Sequence, residues 1–428
     1  MIQTNKSPTL LINQRVKKLW EKGQDVLHVA FGESRFPVHP DLKSALYTGI
    51  SNRSYLSSLG TDKLRNAIAN YYSIKLGLDL SFNQVIVGVG SKSLLYSIIN
   101  SIDGDIMLPK PSWVSYSSIA RICNKSIIKF ELDRDNEFSI NIDALIASYS
   151  SAKKNGKNPS MLILNSPNNP LGNSFNKTDI ESVAEWAKEN DIFLLSDEIY
   201  SLITFNGYTH YSPAAFYPEK TIIFGGLSKH LSLGGWRLGI AILPNNSSKD
   251  KLISYFESIA GSIWSCVPAP FQIVGETAFS NNFSIEKYIK ICTEIHSIRT
   301  LHIYNFFKNI GVNCTNPTGG FYLYVSFKKW NKQLEKKGII SCMSLSEYLL
   351  GKYEIATLPG SAFGDDPENY CLRISSSYLD METDKRAENI LDIYNSRVDE
   401  RTFILNHHPR LTLFLSKMND FVNSIVEM

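Results

Sequence analysis

Between residues 84 and about 243 the chain alternates short, mostly apolar runs with longer stretches that mix apolar and polar residues. The apolar runs are VIVGV (85–89), DIMLP (105–109), MLILN (161–165), IFLLS (192–196), TIIFG (221–225) and LGIAILP (238–244). They are β-branched or leucine-rich and apolar on both faces, as strands covered on both sides of a parallel sheet must be. The intervening segments carry helix signals. Thr178 followed by Glu181 predicts a capping box, and Ile180, Val183, Ala184 and Ala187 fall on one helical face. The pattern predicts an α/β fold with helices covering a mostly parallel sheet.

After about residue 295 the texture changes. GGFYLYVSF (319–327) reads as an edge strand, LPGSAFG (358–364) as a loop and CLRIS (371–375) as a further strand. These predict a second, smaller α+β part. Leu411, Leu415, Met418, Val422 and Ile425 follow Pro409 at helical spacing and predict a closing amphipathic helix. The expected division is a large domain over 46–295 and a small one built from 1–45 and 296–428.

Composition changes this picture little. The 428 residues are 43% hydrophobic and 20% charged, ordinary for a folded chain, and a net charge of +3 is no electrostatic footprint for nucleic acid. The six cysteines (Cys123, Cys266, Cys292, Cys314, Cys342 and Cys371) show no CxxC pair or metal-ligand spacing, so no metal is expected. No stretch approaches the length of a membrane span, and the first residues carry no long apolar signal region. The expected compartment is a reducing cytoplasm.

Chemistry first shows in FGGLSKHLSLGGWRLG (224–239). An apolar strand ends in Gly225 and Gly226, which places Lys229 in a loop at the carboxyl end of a strand, where open α/β sheets bind ligands. Arg237 lies in a glycine-flanked turn that lets a guanidinium approach an anion closely. The segment resembles the lysine signature of the class I/II, fold-type-I aminotransferases, which use pyridoxal 5′-phosphate (PLP). The resemblance implies a large domain with a mostly parallel seven-stranded sheet and a smaller α+β domain. It also implies a Schiff base between Lys229 and PLP, and a phosphate held by Arg237. The family often has Ser or Thr where this chain has Gly226, so Ser228 is the candidate to supply that hydrogen bond.

Other segments resemble the family in the family's order over residues 26–378. By that resemblance Asp197, ending IFLLSD, pairs with the ring nitrogen of PLP, while Tyr200 and Asn169 donate to its ring oxygen. Asn169 sits in NSPNNPLG, with Pro170 and Gly172 shaping the turn and Leu171 in place of the usual threonine. Gly90, Ser91 and Lys92, at a strand-to-helix turn, would bind the phosphate through backbone N–H groups, and Trp113 would stack on the ring. Arg373 would grip the substrate's α-carboxylate with its planar fork. Gly32 and Phe363 would lie near the substrate, and Tyr55 would reach across a twofold interface into a neighbouring subunit's site, which makes a homodimer the expected assembly.

The resemblance implies transfer of an amino group between an L-amino acid and a 2-oxo acid. Other carbanion chemistry on the same fold (a lyase, decarboxylase or oxidase reaction) and a non-catalytic PLP-binding protein are the alternatives. GESRFP (32–37) departs from the family's GEPDF and introduces Arg35. Lys92 or Arg35 is the candidate selector of a dicarboxylic partner. His230, next to the lysine, is expected to point away.

Overall fold

The computed structural model describes residues 7–396 and 399–427. Seven strands form the central sheet: β2 (Val85–Val89), β3 (Asp105–Lys110), β4 (Ile127–Glu131), β5 (Pro159–Asn165), β6 (Phe193–Asp197), β7 (Thr221–Gly226) and β8 (Leu238–Ile242). Their order is β2-β8-β7-β6-β5-β3-β4, with β8 antiparallel to both neighbours and every other pairing parallel. The alternation of side chains sends Ile86, Ile222 and Phe224 to one face, against the helices Ser91–Ser101 and Lys249–Ile263. Val85, Val87 and Ile223 go to the other face, under the helix Asp62–Leu76. Burying each such side chain contributes about 1.5–3 kcal/mol, which is why the strands are apolar on both sides.

A second sheet of four strands has the order β12-β13-β10-β9, where β9 is Asn313–Cys314, β10 Tyr322–Ser326, β12 Leu358–Pro359 and β13 Cys371–Ser375. β1 (Leu27–His28) pairs in parallel with β11 (Ile355–Ala356), tying the N-terminal segment to this part of the chain. The closing helix runs from Pro409 to Val426. Leu411, Leu415, Met418, Val422 and Ile425 are all buried, as their spacing predicts.

Three local expectations need correction. The segment GGFYLYVSF is not an edge strand: β10 lies between β13 and β9 and is almost wholly buried. Its outer neighbour β9 is only two residues long and carries no strand signal of its own. The helix Lys177–Glu189 is capped two residues earlier than Thr178 would place it. Asn176 accepts from the Asp179 N–H while Asp179 reaches back to the Asn176 N–H, leaving Thr178 inside the helix. Finally, β4 is absent from the sequence reading because IIKFE alternates buried and exposed positions, as the edge of a sheet does.

The strand order reverses between β3 and β5. From there β3 leads outward to β4, while β5, β6 and β7 step the other way. Ligands bind outside the carboxyl ends of strands at such a reversal. The connection from β7 to its antiparallel neighbour β8 also lies at this end, as does the exit from β2.

Candidate active site

The loops at this end enclose a cavity of about 320 Å³. It is lined by Gly32, Ser91, Lys92, Trp113, Asn169, Asp197, Tyr200, Ser228, Lys229, Arg237 and Arg373, so the topology gathers nearly every sequence-predicted site residue. Lys229 and Arg237 share the β7–β8 connection. Asp197 ends β6, Asn169 follows β5, Trp113 follows β3, and Ser91 and Lys92 open the helix after β2.

Lys229 Nζ donates to the Gly32 carbonyl at 2.8 Å and sits 5.5 Å from the centre of the Tyr200 ring. Asp197 is 3% exposed, and one of its oxygens accepts from the Tyr116 hydroxyl at 2.6 Å. Burial pushes its carboxyl up to about 6 even though the Tyr116 hydrogen bond works the other way. Asn165 sets the spacing of the floor: its amide donates to the Asp197 carbonyl, and its oxygen accepts from the Asn169 N–H, both at 2.8 Å.

Arg373 is 2% exposed and has no carboxylate within ion-pair distance among the described residues. It donates to Asn169 Oδ1 at 2.8 Å and to the Ala30 carbonyl at 2.6 Å, and lies between the Tyr322 and Phe363 rings, 4.5 and 5.1 Å from their centres. A guanidinium has five N–H donors, so three remain, and Nε is buried without a partner. Burial pushes the guanidinium below its ordinary pKa. An unbalanced buried cation with spare donors is a site for an anion.

A second cationic region lies at the β2 exit. Gly90 precedes the helix Ser91–Ser101 with φ 81° and without a side-chain cap, so the helix presents free N–H groups. A Cβ at Gly90 would stand 2.0 Å from Arg237 Nη2, which explains why glycine is required where the guanidinium crosses the turn. Lys92 Nζ lies 5.1 Å over the Trp113 ring, and burial, reinforced by Arg237 and Lys229, pushes it below its ordinary pKa. Gly226 has φ 151°, and a Cβ there would lie 2.6 Å from the Leu238 carbonyl. The close approach of β7 to β8 leaves no room for the family's hydroxyl residue, and Ser228 lines the cavity in its stead.

The family model "Aminotransferase class I and II" matches residues 24–391. The chain belongs to that family. It is a PLP-dependent transferase of amino groups. It is 27% identical to an asparagine–oxo-acid transaminase of Streptococcus mutans, over 92% of this chain and 98% of that one. It is also 28% identical to an aspartate aminotransferase of Pyrococcus horikoshii, over 86% and 90% of the two chains. Among solved structures, the aspartate aminotransferase of Thermus thermophilus with maleate superposes with a TM-score of 0.79 at 24% identity, covering 92% of this chain and 97% of that one.

The donor set of this aminotransferase fits PLP. The cofactor carries a phosphate, a basic ring nitrogen and an acidic ring oxygen. The cavity offers a free helix N-terminus beside Arg237 and Lys92, a buried carboxylate at Asp197, and amide and hydroxyl donors at Asn169 and Tyr200. No cluster able to hold a metal ion occurs among the described residues.

Three side chains expected at the site, those of Tyr55, Arg35 and Phe363, fall outside the cavity wall. Tyr55 is 88% exposed. Arg35 lies 3.7 Å from both Glu33 and Asp384 and over the Tyr378 ring. Phe363 is buried behind Arg373. His230 is buried, its ring pushed down to about 3, and it is not in the cavity wall, as its place beside Lys229 leads one to expect.

The cavity also contains residues that sequence reasoning missed: Ser7, which precedes the helix Pro8–Glu21, and Thr9, Leu10 and Asn13 within it, together with Asn165, Tyr116 and Tyr322. Asn165 and Tyr116 had a signal. One is the polar end of an apolar run, and the other lies one helical turn past Trp113. Tyr322 and the N-terminal residues reach the site only through tertiary packing.

Proposed function

We propose that this aminotransferase exchanges an amino group between a dicarboxylic L-amino acid, of the aspartate and asparagine class, and a 2-oxo acid. The observation that carries the reading is the pairing of two separate cations in one cavity. Arg373 and Lys92 both line it, neither has a carboxylate partner among the described residues, and a dicarboxylic substrate supplies one carboxylate for each. Arg35 is already engaged by Glu33 and Asp384, which favours Lys92 as the selector. The relatives named for aspartate and asparagine agree with this class.

PLP, when bound, supplies an electron sink for the negative charge that develops at the substrate's Cα. Gly90, Ser91, Ser228 and Arg237 would hold its phosphate, with Lys92 beside them and Trp113 against the ring. Asp197, ionised, would keep a proton on the ring nitrogen, and Tyr200 and Asn169 would donate to the ring oxygen. Arg373 orients the α-carboxylate with its spare donors, so that Lys229 Nζ, resting on the Gly32 carbonyl, lies ready to carry a proton from Cα.

The proposal includes a homodimer in the cytoplasm. Tyr55, Tyr47 and Ile50 are large side chains left 88%, 81% and 67% exposed, the kind of patch that a twofold interface covers. Tyr55 would then complete the neighbouring subunit's phosphate site. All six cysteines are free, as in a reducing compartment, and no helix among the described residues is long and apolar enough to cross a membrane. The division into 46–295 and 1–45 with 296–428 belongs to the same reading; the seven-stranded sheet lies within 85–242 and the four-stranded one within 313–375, which supports it.

Lys92→Ala tests the substrate class. Loss of one charge-assisted hydrogen bond is expected to lower kcat/KM toward aspartate and glutamate by about 10–100-fold. Alanine and other monocarboxylic donors should change by less than about threefold. Equal losses for both kinds of donor would assign Lys92 to the cofactor alone and remove the support for a dicarboxylic substrate.

A further inference from the structure

We infer that Tyr322 is a positioning residue that aims the Tyr200 hydroxyl into the cavity and so couples Arg373 to the cofactor's ring oxygen. The inference rests on the proposed facing of Tyr200 toward that oxygen.

The two hydroxyls are 2.8 Å apart and both are buried. A phenol has one proton to give. If Tyr200 gave its proton to Tyr322, nothing would remain for a ligand in the cavity. Two features favour the opposite direction. Tyr322's other acceptor is the Gly32 carbonyl, which is 3.5 Å away and already receives Lys229 Nζ at 2.8 Å. In addition, the Arg373 guanidinium lies 4.5 Å from the centre of the Tyr322 ring, which draws density from that phenol and makes it the better donor. Tyr322 therefore donates to Tyr200, and the Tyr200 proton is left to face the cavity.

The backbone makes room for this arrangement. A Cβ at residue 32 would fall 2.0 Å from the Tyr322 hydroxyl, so Gly32 is cut away where the hydroxyl enters. The chain Arg373–Tyr322–Tyr200 runs alongside the direct hydrogen bond from Arg373 to Asn169. A carboxylate that neutralises Arg373 weakens Tyr322 as a donor, and the change reaches the ring oxygen through Tyr200.

The test is a pH titration of the bound cofactor's visible absorption in the holoprotein, with and without maleate as a non-reacting dicarboxylate. Tyr322→Phe removes the hydroxyl and keeps the ring. It is expected to raise the midpoint by about 0.5–1 pH unit, because a donor to an anionic oxygen is misdirected, and to shrink the shift that maleate produces. Tyr324→Phe removes another buried hydroxyl from the same strand, one bonded to Asp365, and should leave the midpoint in place. Tyr200→Phe should move it further, and adding Tyr322→Phe to Tyr200→Phe should do nothing more. If Tyr200→Phe leaves the midpoint unmoved, Tyr200 does not face the oxygen and both readings fall. If Tyr200→Phe moves it and Tyr322→Phe does not, the facing stands and the positioning role is overturned. A Tyr322→Phe shift that persists in the Tyr200→Phe background overturns it as well.

Discussion

Lys229→Ala is expected to lower kcat by about 10⁴-fold or more while the protein stays folded. Among the described residues the Lys229 side chain is the only amine that rests in the cavity on a backbone carbonyl, between the rings of Tyr200 and Phe321. A positioned proton carrier alone accounts for about 10²–10⁴ in rate, and loss of the covalent anchor adds to this. Stability should change little, because Lys229 is half-buried and its one hydrogen bond, to Gly32, can pass to water. Steady-state kinetics and a melting curve check both halves. Residual turnover above a tenth of the parent's would mean that another group moves the proton.

Asp197→Asn has the next largest expected effect. The amide keeps the size of the side chain and a bond to Tyr116 but cannot balance a charged ring nitrogen. A loss of about 10²–10³ in kcat is the scale for removing one preorganised electrostatic partner. The apoprotein offers a second readout. The folded pKa of Asp197, about 6, lies above the ordinary 3.8, so the folded state holds this proton more tightly than the unfolded chain does. Its contribution to stability is therefore complete below about 3.8 and is lost as the pH rises through about 6. Apo Asp197→Asn should lack that decline, and its melting temperature relative to the parent should rise across this interval. With cofactor bound, the cation opposite Asp197 removes the penalty and the parent should regain the advantage. Unchanged kcat would separate Asp197 from the ring nitrogen, and parallel pH profiles of the two apoproteins would contradict its raised pKa.

Much of the site could be read before any geometry, for a physical reason. A parallel sheet buries both faces of its strands, so each strand is an uninterrupted apolar run, and the first polar residue after it marks the ligand-binding end. Asp197 and Asn169 are visible in this way, and Lys229 and Arg237 stand out because glycines flank them. Elements that lack this contrast were hidden. β4 alternates as an edge strand does, and β10 looks like an edge because its neighbour β9 is two residues long. Tyr322 sits in an apolar strand more than ninety positions beyond Lys229, and nothing in GGFYLYVSF distinguishes it from Tyr324, which points to Asp365. Ser7, Thr9, Leu10 and Asn13 reach the cavity because β1 pairs with β11 and folds the N-terminal segment back over it. Such long-range pairings leave no local trace. Arg35 shows the converse. Its unusual place in GESRFP drew attention, but Glu33 and Asp384 already occupy it.

A covalent link between PLP and one ε-amine underlies all of this chemistry. Borohydride reduction of the holoprotein, followed by proteolysis and mass mapping, tests it directly. The added mass is predicted on the peptide containing Lys229, at one equivalent per chain, and absent from Lys229→Ala. A label on Lys92 or any other lysine, or no label at all, would contradict it.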